Sequence, residues 1–332
     1  MKMAILICGG AGYVGSHMVA ELLEQGHETV VVDNLEKGHK AAVGKEARFY
    51  QGDLRDSLLM DKVFTENKIS SVVNYAAYSL VGESVSEPMK YYENNVVGAL
   101  SLLKSMLKHD VRNIVFSSTA AVYGEPSAIP ITEDSPTLPV NPYGETKLTV
   151  EKILKWYEQT YNLSYATLRY FNVAGAHCSG EIGEDHTPET HLIPIILQTA
   201  MGKFSSLPLY GNDYDTPDGT CIRDYIHVTD LADAHILALK KLESGSPSLT
   251  YNLGSGNGFS NKEIIDTACH VTGRKIPIEQ KGRRSGDPAV LIASSEKIKQ
   301  ELGWNPVRTD LETIIDSAWQ WHSKYPEGFK NA

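Results

Sequence analysis

The chain has 332 residues, 42% of them hydrophobic, with 31 basic against 41 acidic side chains and a formal net charge of −10. That length buries a full core, as about two domains or one large α/β unit. An acidic balance with no basic run argues against a nucleic-acid or anionic-membrane surface, and no segment approaches the ~18 apolar residues of a membrane span.

Taken in chain order, short apolar, β-branched runs predict strands near 4–8 ("AILIC"), 28–33 ("ETVVVD"), 47–51, 71–76 ("SVVNYA"), 112–118 ("RNIVFSS") and 164–171, with helix-period segments between them. This alternation predicts an α/β fold: a doubly wound parallel sheet covered by helices on both faces. After about residue 174 the texture turns to Pro, Gly, His and acidic residues, and "GNDYDTPDGT" at 211–220 is a loop. Such a segment is expected to form a smaller, mixed α/β unit that caps a cleft. The amphipathic run "HVTDLADAHILALKKL" at 227–242 and the strand candidate "TYNLG" after it predict a return to the first unit. The expected division is 1–174 with roughly 227–254, and 175–332. Cys8, Cys178, Cys221 and Cys269 are far apart and form no CxxC, and the eleven histidines show no ligand spacing. A reducing, cytoplasmic setting and no metal site are therefore expected. The apolar run that opens the chain is too short for a signal core.

"CGGAGYVGSH" at 8–17 follows the first strand and opens a helix, with Gly9, Gly12 and Gly15 in a GxxGxxG spacing. Glycines there let backbone approach a pyrophosphate at the positive end of a helix. The second strand ends in Asp33, where a carboxylate accepts from both adenosine ribose hydroxyls and repels a 2′-phosphate. NAD is expected over NADP, on a Rossmann-type sheet.

Further motifs occur in order: "GDL" at 52–54, "NYAAYS" at 74–79, "YYENNV" at 91–96, and "NPYGETK" at 141–147. With the GxxGxxG form they resemble the extended short-chain dehydrogenase/reductase family. That resemblance implies NAD held tightly by Gly9, Gly12, Tyr13, Val14 and Gly15, by Asp33 and Asn34, and by Asp53 and Leu54. It further implies contacts from Tyr75, Ala76, Ala77, Ser79 and Asn94, and from Ser117, Tyr143, Lys147 and Tyr170 around the reacting end. Ser79, Ala77 and Asn74 depart from the lysine, glycine and histidine found in some members.

Tyr143 and Lys147 stand four apart and share a face if the segment is helical. A phenol titrating near ~10 needs a shift of roughly three units, about 4 kcal/mol, to act as a base at neutral pH. An ammonium some ~4 Å away at an effective dielectric near ~20 supplies about that much. The family's catalytic set then corresponds to Thr119, Tyr143 and Lys147. Members that dehydrate nucleotide sugars place an acidic pair after the Thr, whereas this chain has Ala120 and Ala121. A redox-neutral outcome is expected: a sugar carbon is oxidised and then reduced again.

The second half, with "RYFNVAGAH" (169–177), "GTCIRDYIHVTDLADAH" (219–235) and "RRSGD" (283–287), is similar to the nucleotide-sugar members of the family. The resemblance implies a UDP-sugar substrate, held through its diphosphate by Asn172, Arg223 and Arg284, through its ribose by Asp287 and through uracil stacking by Tyr210. Thr119 and Tyr143 meet the sugar, Leu291 limits room near its 2-substituent, and His191 and Leu192 add backbone contacts. His191 departs from the Asn of some members. The implied activity is inversion at sugar carbon 4, interconverting UDP-glucose and UDP-galactose, in a homodimer. Another UDP-sugar, such as UDP-GlcNAc, UDP-glucuronate or UDP-arabinose, or a noncatalytic NAD-binding role stay open at this point.

Overall fold

A computed structural model describes residues 3–284 and 287–331; Ser285 and Gly286 of the "RRSGD" motif lie outside the described residues. Six strands follow the expected order: β1 (Ala4–Cys8), β2 (Glu28–Asp33), β3 (Arg48–Gln51), β4 (Ile69–Asn74), β5 (Asn113–Thr119) and β6 (Ser164–Tyr170). Then come β7 (Asn172–Ala174), β8 (Leu207–Tyr210), β9 (Ile222–His227) and β10 (Leu249–Leu253), and last β11 (Gly258–Ser260), β12 (Ile278–Lys281) and β13 (Val290–Leu291).

The main sheet is parallel, in the order β10-β6-β5-β4-β1-β2-β3. β1 is buried along its whole length, as an unbroken apolar run must be when helices cover both faces of a parallel sheet. Its side chains alternate between two cores. Ile5 and Ile7 pack with Met18, Leu22, Leu231 and Leu239 from the helices Tyr13–Glu24 and Val228–Glu243. Ala4, Leu6 and Cys8 pack with Met60, Leu102, Met106 and Leu154 on the other face. The chain leaves β1 toward β2 and β3, then crosses back to β4, so a crevice opens between the carboxyl ends of β1 and β4. The amphipathic run read at 227–242 returns to pack on the helix Tyr13–Glu24, and β10 pairs with β6.

Below the crevice, β9 pairs with β7, β11 and β13, while β8 pairs with β12. A separate core of Ile193, Leu197, Ile264, Ile314 and Ile315 lies among the helices Leu192–Ala200, Asn261–Thr272 and Leu311–Lys324.

Three histidines in this fold are almost wholly buried: His17, His227 and His235. Burial lowers their pKa to about 4, about 3 and about 4, so each is neutral in the folded chain above that range. The unfolded chain binds their protons near pH ~6.5, so this stability is complete above that value and is lost as pH falls toward 4. By pH 5 the loss is roughly 2 kcal/mol for each histidine. Urea unfolding at pH 7.5 and at pH 5 checks this; an unchanged midpoint counts against it.

Candidate active site

The crevice holds a cleft of about 640 Å³ and a smaller lobe of about 130 Å³, which share Gly9, Gly12, Tyr75 and Ala77. Gly9 adopts φ +76°, and a Cβ there would lie 2.7 Å from the Ala76 backbone nitrogen. A Cβ on Gly15 would fall against the Gly9 carbonyl oxygen and 2.9 Å from Gly10 Cα. On Gly12 it would meet nothing closer than 3.5 Å, so that position faces open space. The helix Tyr13–Glu24 starts after Gly12 with no side-chain cap, leaving its first N–H groups for a ligand. Val14 lines the larger cleft.

Asp33 ends β2 with its Oδ2 accepting from the Ala11 N–H at 2.9 Å and its Oδ1 from the Leu35 N–H at 2.8 Å. Burial raises its pKa, and those two backbone donors and His39 oppose the rise. Asp33, Asn34, Asp53, Leu54, Ala76 and Asn94 all line the smaller lobe. There Asp53 takes two hydrogen bonds from Arg55, at 2.8 and 2.6 Å. An extended, acidic-ended lobe joined to a glycine turn fits an adenosine diphosphate portion such as that of NAD. Sequence reasoning missed Asn95, on a π-helical turn (Tyr92–Val97). Its side chain holds both the N–H and the carbonyl of Tyr78 and donates to Thr146 at 3.1 Å. It thereby ties the segment after β4, where Ser79 lines the cleft, to the helix that carries Tyr143.

That helix (Pro142–Tyr161) begins with Pro142 in its first turn, and Asn141 caps it by accepting from the Gly144 N–H at 2.9 Å. Tyr143 and Lys147 are buried on one face. Lys147 Nζ donates to the Ser117 carbonyl at 2.7 Å and lies 6.0 Å from the Tyr143 ring centre. Thr119 ends β5, its hydroxyl accepting from the Ala121 N–H at 3.1 Å, and it lines the cleft together with Tyr143. The Tyr170 hydroxyl bonds Ser117 Oγ.

The electrostatics correct the sequence reading. Burial raises the Tyr143 pKa above the usual phenol value, with the Thr119 hydroxyl opposing. Burial also lowers Lys147 to about 7, with Glu151 opposing. Desolvation favours the neutral form of each group, and it outweighs the attraction on which the sequence argument relied. The lysine alone therefore does not acidify the phenol.

The helix that carries Tyr143 is locked to the sheet by a pair that sequence reasoning did not find. Arg169 of β6 donates through Nε and Nη2 to Glu151 at 3.0 and 2.6 Å, both side chains being 9% exposed, and through Nη1 to the Tyr123 hydroxyl at 2.8 Å. Arg169→Met leaves a buried carboxylate unpaired, and a loss of about 3–5 kcal/mol is expected. Thermal or denaturant unfolding measures it, and a loss under ~1 kcal/mol counts against the lock.

At the far end of the cleft the predicted substrate residues are together but already paired. Arg223 bonds Asp287. The Arg284 guanidinium sits 4.0 Å above the Tyr210 ring. Asn172 at the start of β7, His191, Leu192 at the start of its helix and Leu291 on β13 also line it. The expectation of separate ligand contacts thus becomes two pairs that must open to admit one.

Two of the histidines read as scattered come together here. Glu184, His186, Glu189 and His191 present ligand-type atoms within 4.8 Å of one another. Burial opposes charge on His186, yet hydrogen bonds and charge from Glu184 and Glu189 outweigh it and raise its pKa to about 9. The signal was in "EDHTPETH", a mixed His/Glu segment that a search for His–His or CxxC spacing passes over.

A doubly wound sheet with a glycine turn, an acidic end to its second strand and a buried Thr, Tyr, Lys set at the crevice defines a dinucleotide-dependent enzyme of the short-chain dehydrogenase/reductase type. Residues 5–254 match the NAD dependent epimerase/dehydratase family, and the chain belongs to it. It is 57% identical over 98% of its length to a UDP-glucose 4-epimerase of Halalkalibacterium halodurans, 98% of which is covered. A crystal structure of a UDP-glucose 4-epimerase superposes with a TM-score of 0.97 at 56% identity, covering 98% of this chain and 99% of that one. The Bifidobacterium longum UDP-glucose 4-epimerase in complex with NAD+ and UDP gives a TM-score of 0.93 at 41% identity, over 98% of this chain and 100% of that one. Among the described residues, no helix is long and apolar enough to cross a membrane.

Proposed function

We propose that the chain interconverts UDP-glucose and UDP-galactose with one tightly held NAD that is not consumed. The observation that carries this is a single cleft with Thr119, Tyr143 and Lys147 at one end and Arg223, Arg284 and Tyr210 at the other. Its near-full-length similarity to epimerases of that specificity supports the substrate. NAD, when bound, accepts and returns a hydride and brings a positive ring beside the phenol. It would be held by the glycine turn, by Asp33, Asn34, Asp53 and Leu54, by Tyr75, Ala76, Ala77, Ser79 and Asn94, and by Ser117, Lys147 and Tyr170.

Tyr143 takes the proton of the sugar 4-hydroxyl as the carbon is oxidised and gives it back when the 4-keto group is reduced on its opposite face. Thr119 hydrogen-bonds the reacting oxygen and keeps it near the phenol. Lys147, anchored on the Ser117 carbonyl, holds the ribose side of the pocket. Arg223 and Arg284 release Asp287 and Tyr210 to grip the diphosphate, a forked contact suited to guanidinium. Asp287 then turns to the uridine ribose and Tyr210 to uracil, with Asn172 and the backbone at His191 and Leu192 closing the grip. The nucleotide stays fixed while the sugar turns about its diphosphate link, with Leu291 bounding that space.

Residues 1–174 with roughly 227–254 form the NAD-binding unit, and 175–332 carry the nucleotide sugar. The exposed Met89, Val97, Leu100 and Trp156, on the helices flanking the catalytic set, support a homodimer paired through those faces. Four free cysteines suit a cytoplasmic setting. The test is UDP-galactose conversion by purified protein with no cofactor added, and about one NAD per chain released on denaturation is expected. UDP-GlcNAc, UDP-glucuronate and UDP-arabinose in the same panel distinguish the sugar. A protein that releases no NAD and inverts none of these overturns the reading.

A further inference from the structure

We propose that Glu184, His186, Glu189 and His191 form a binding site for one divalent transition-metal ion of the zinc type, at the edge of the cleft. The site is built. The side chains of Glu184 and Glu189 are 6% and 4% exposed, although carboxylates this deep in a protein almost always have a partner for each oxygen. Glu189 Oε1 has its partners: the N–H groups of Thr190 at 2.7 Å and His191 at 2.8 Å, and the His191 ring Nδ1 at 2.9 Å. Glu189 Oε2 and His186 Nδ1 are both buried and make only loose contacts, 3.6 Å from each other and, for His186 Nδ1, 3.3 Å from Glu184 Oε1. Buried ligand atoms that face each other at loose ion-pair distance leave room for a common partner.

Geometry favours an ion as that partner. Ligands at ~2.0–2.1 Å around tetrahedral zinc stand about 3.3 Å from one another. His186 Nδ1 lies 3.3 Å from Glu184 Oε1, and His191 Nδ1 lies 2.9 Å from both Glu184 Oε1 and Glu189 Oε1. Small adjustments place all four donors on one centre. Two carboxylates balance a divalent charge, and two imidazole nitrogens select zinc, cobalt or nickel over magnesium or calcium. The side chain of His191 is 45% exposed, which leaves an entry path.

The ion would fasten a connecting segment. On one side His186 meets the ring of Tyr13 edge-on, with centres 6.3 Å apart, at the start of the helix after the glycine turn. On the other, His191 is the residue before the helix Leu192–Ala200. The helix after the glycine turn and the helix Leu192–Ala200 are thereby joined through one centre.

The test uses the NAD-loaded protein after treatment with a chelator. Co2+ is titrated in and its visible ligand-field bands are followed, with Zn2+ as competitor. One equivalent of Co2+ is expected to bind in a low-symmetry, nitrogen-containing environment and to be displaced by Zn2+. Glu189→Gln and, separately, His186→Asn are expected to weaken binding by more than about 10-fold. X-ray absorption at the zinc edge of the wild-type protein reads imidazole scattering directly and needs no variant. Absence of one-equivalent binding up to about 1 mM metal, a zinc spectrum without imidazole, or unchanged affinity in both variants overturns the site.

Discussion

Tyr143→Phe is expected to lower kcat on UDP-galactose by on the order of 10³, with KM and the amount of NAD carried by the purified protein little changed. Phenylalanine keeps the ring that packs at this buried position and removes only the hydroxyl. The effect therefore falls on proton transfer and not on folding. Burial holds this phenol neutral in the chain by itself, and Lys147, lowered to about 7, offers only a weak standing charge against it. The variant should consequently bind UDP normally while failing in both directions of the reaction. Thr119→Val, which removes a hydrogen bond but no proton carrier, is expected to cost about 10-fold, equivalent to one neutral hydrogen bond. If steady-state kinetics find Tyr143→Phe within threefold of the parent, the base assignment is wrong.

Gly15→Ala is expected to strip the cofactor. The added methyl would meet the Gly9 carbonyl oxygen and lie 2.9 Å from Gly10 Cα, and both are backbone atoms that no rotamer change can clear. The turn must open, moving the N–H groups at the start of the helix Tyr13–Glu24. A cost of about 3 kcal/mol, roughly 100-fold in NAD affinity, follows. Gly12→Ala serves as the comparison, because its added methyl reaches nothing closer than 3.5 Å. That protein should fold as the parent does and lose NAD only by obstructing the ligand's approach. NAD released on denaturation, read beside the thermal midpoint, separates the two. A Gly15→Ala protein that retains its full complement of NAD shows that the turn is not the cradle.

Much of the sheet was legible because a parallel strand covered on both faces must be apolar along its buried stretch, as "AILIC" and the "VVV" of "ETVVVD" are. The start of the helix that carries Tyr143 has an equally local cause in Asn141 and Pro142, since capping acts within one turn. By contrast, nothing in the sequence reading singled out Glu151 or linked it to Arg169. Only the packing of one against the other buries them. Arg223 and Asp287 were read as two ligand contacts, and the fold pairs them. The burial that raises the Tyr143 pKa in the chain by itself was likewise not legible, because charge separation could be guessed from spacing while the depth of burial could not.

Local chemistry along the chain was enough to specify the elements, the glycine turn and the acidic end of β2, because each depends on residues a few positions apart, whereas the Thr, Tyr, Lys set rested on the family resemblance. Tertiary structure alone decided which of those groups are dry and which carboxylates meet which cations, as Glu151 meets Arg169 and Asp287 meets Arg223. Desolvation and ion pairing depend on what surrounds a group in space, and residues distant in sequence supply most of those surroundings.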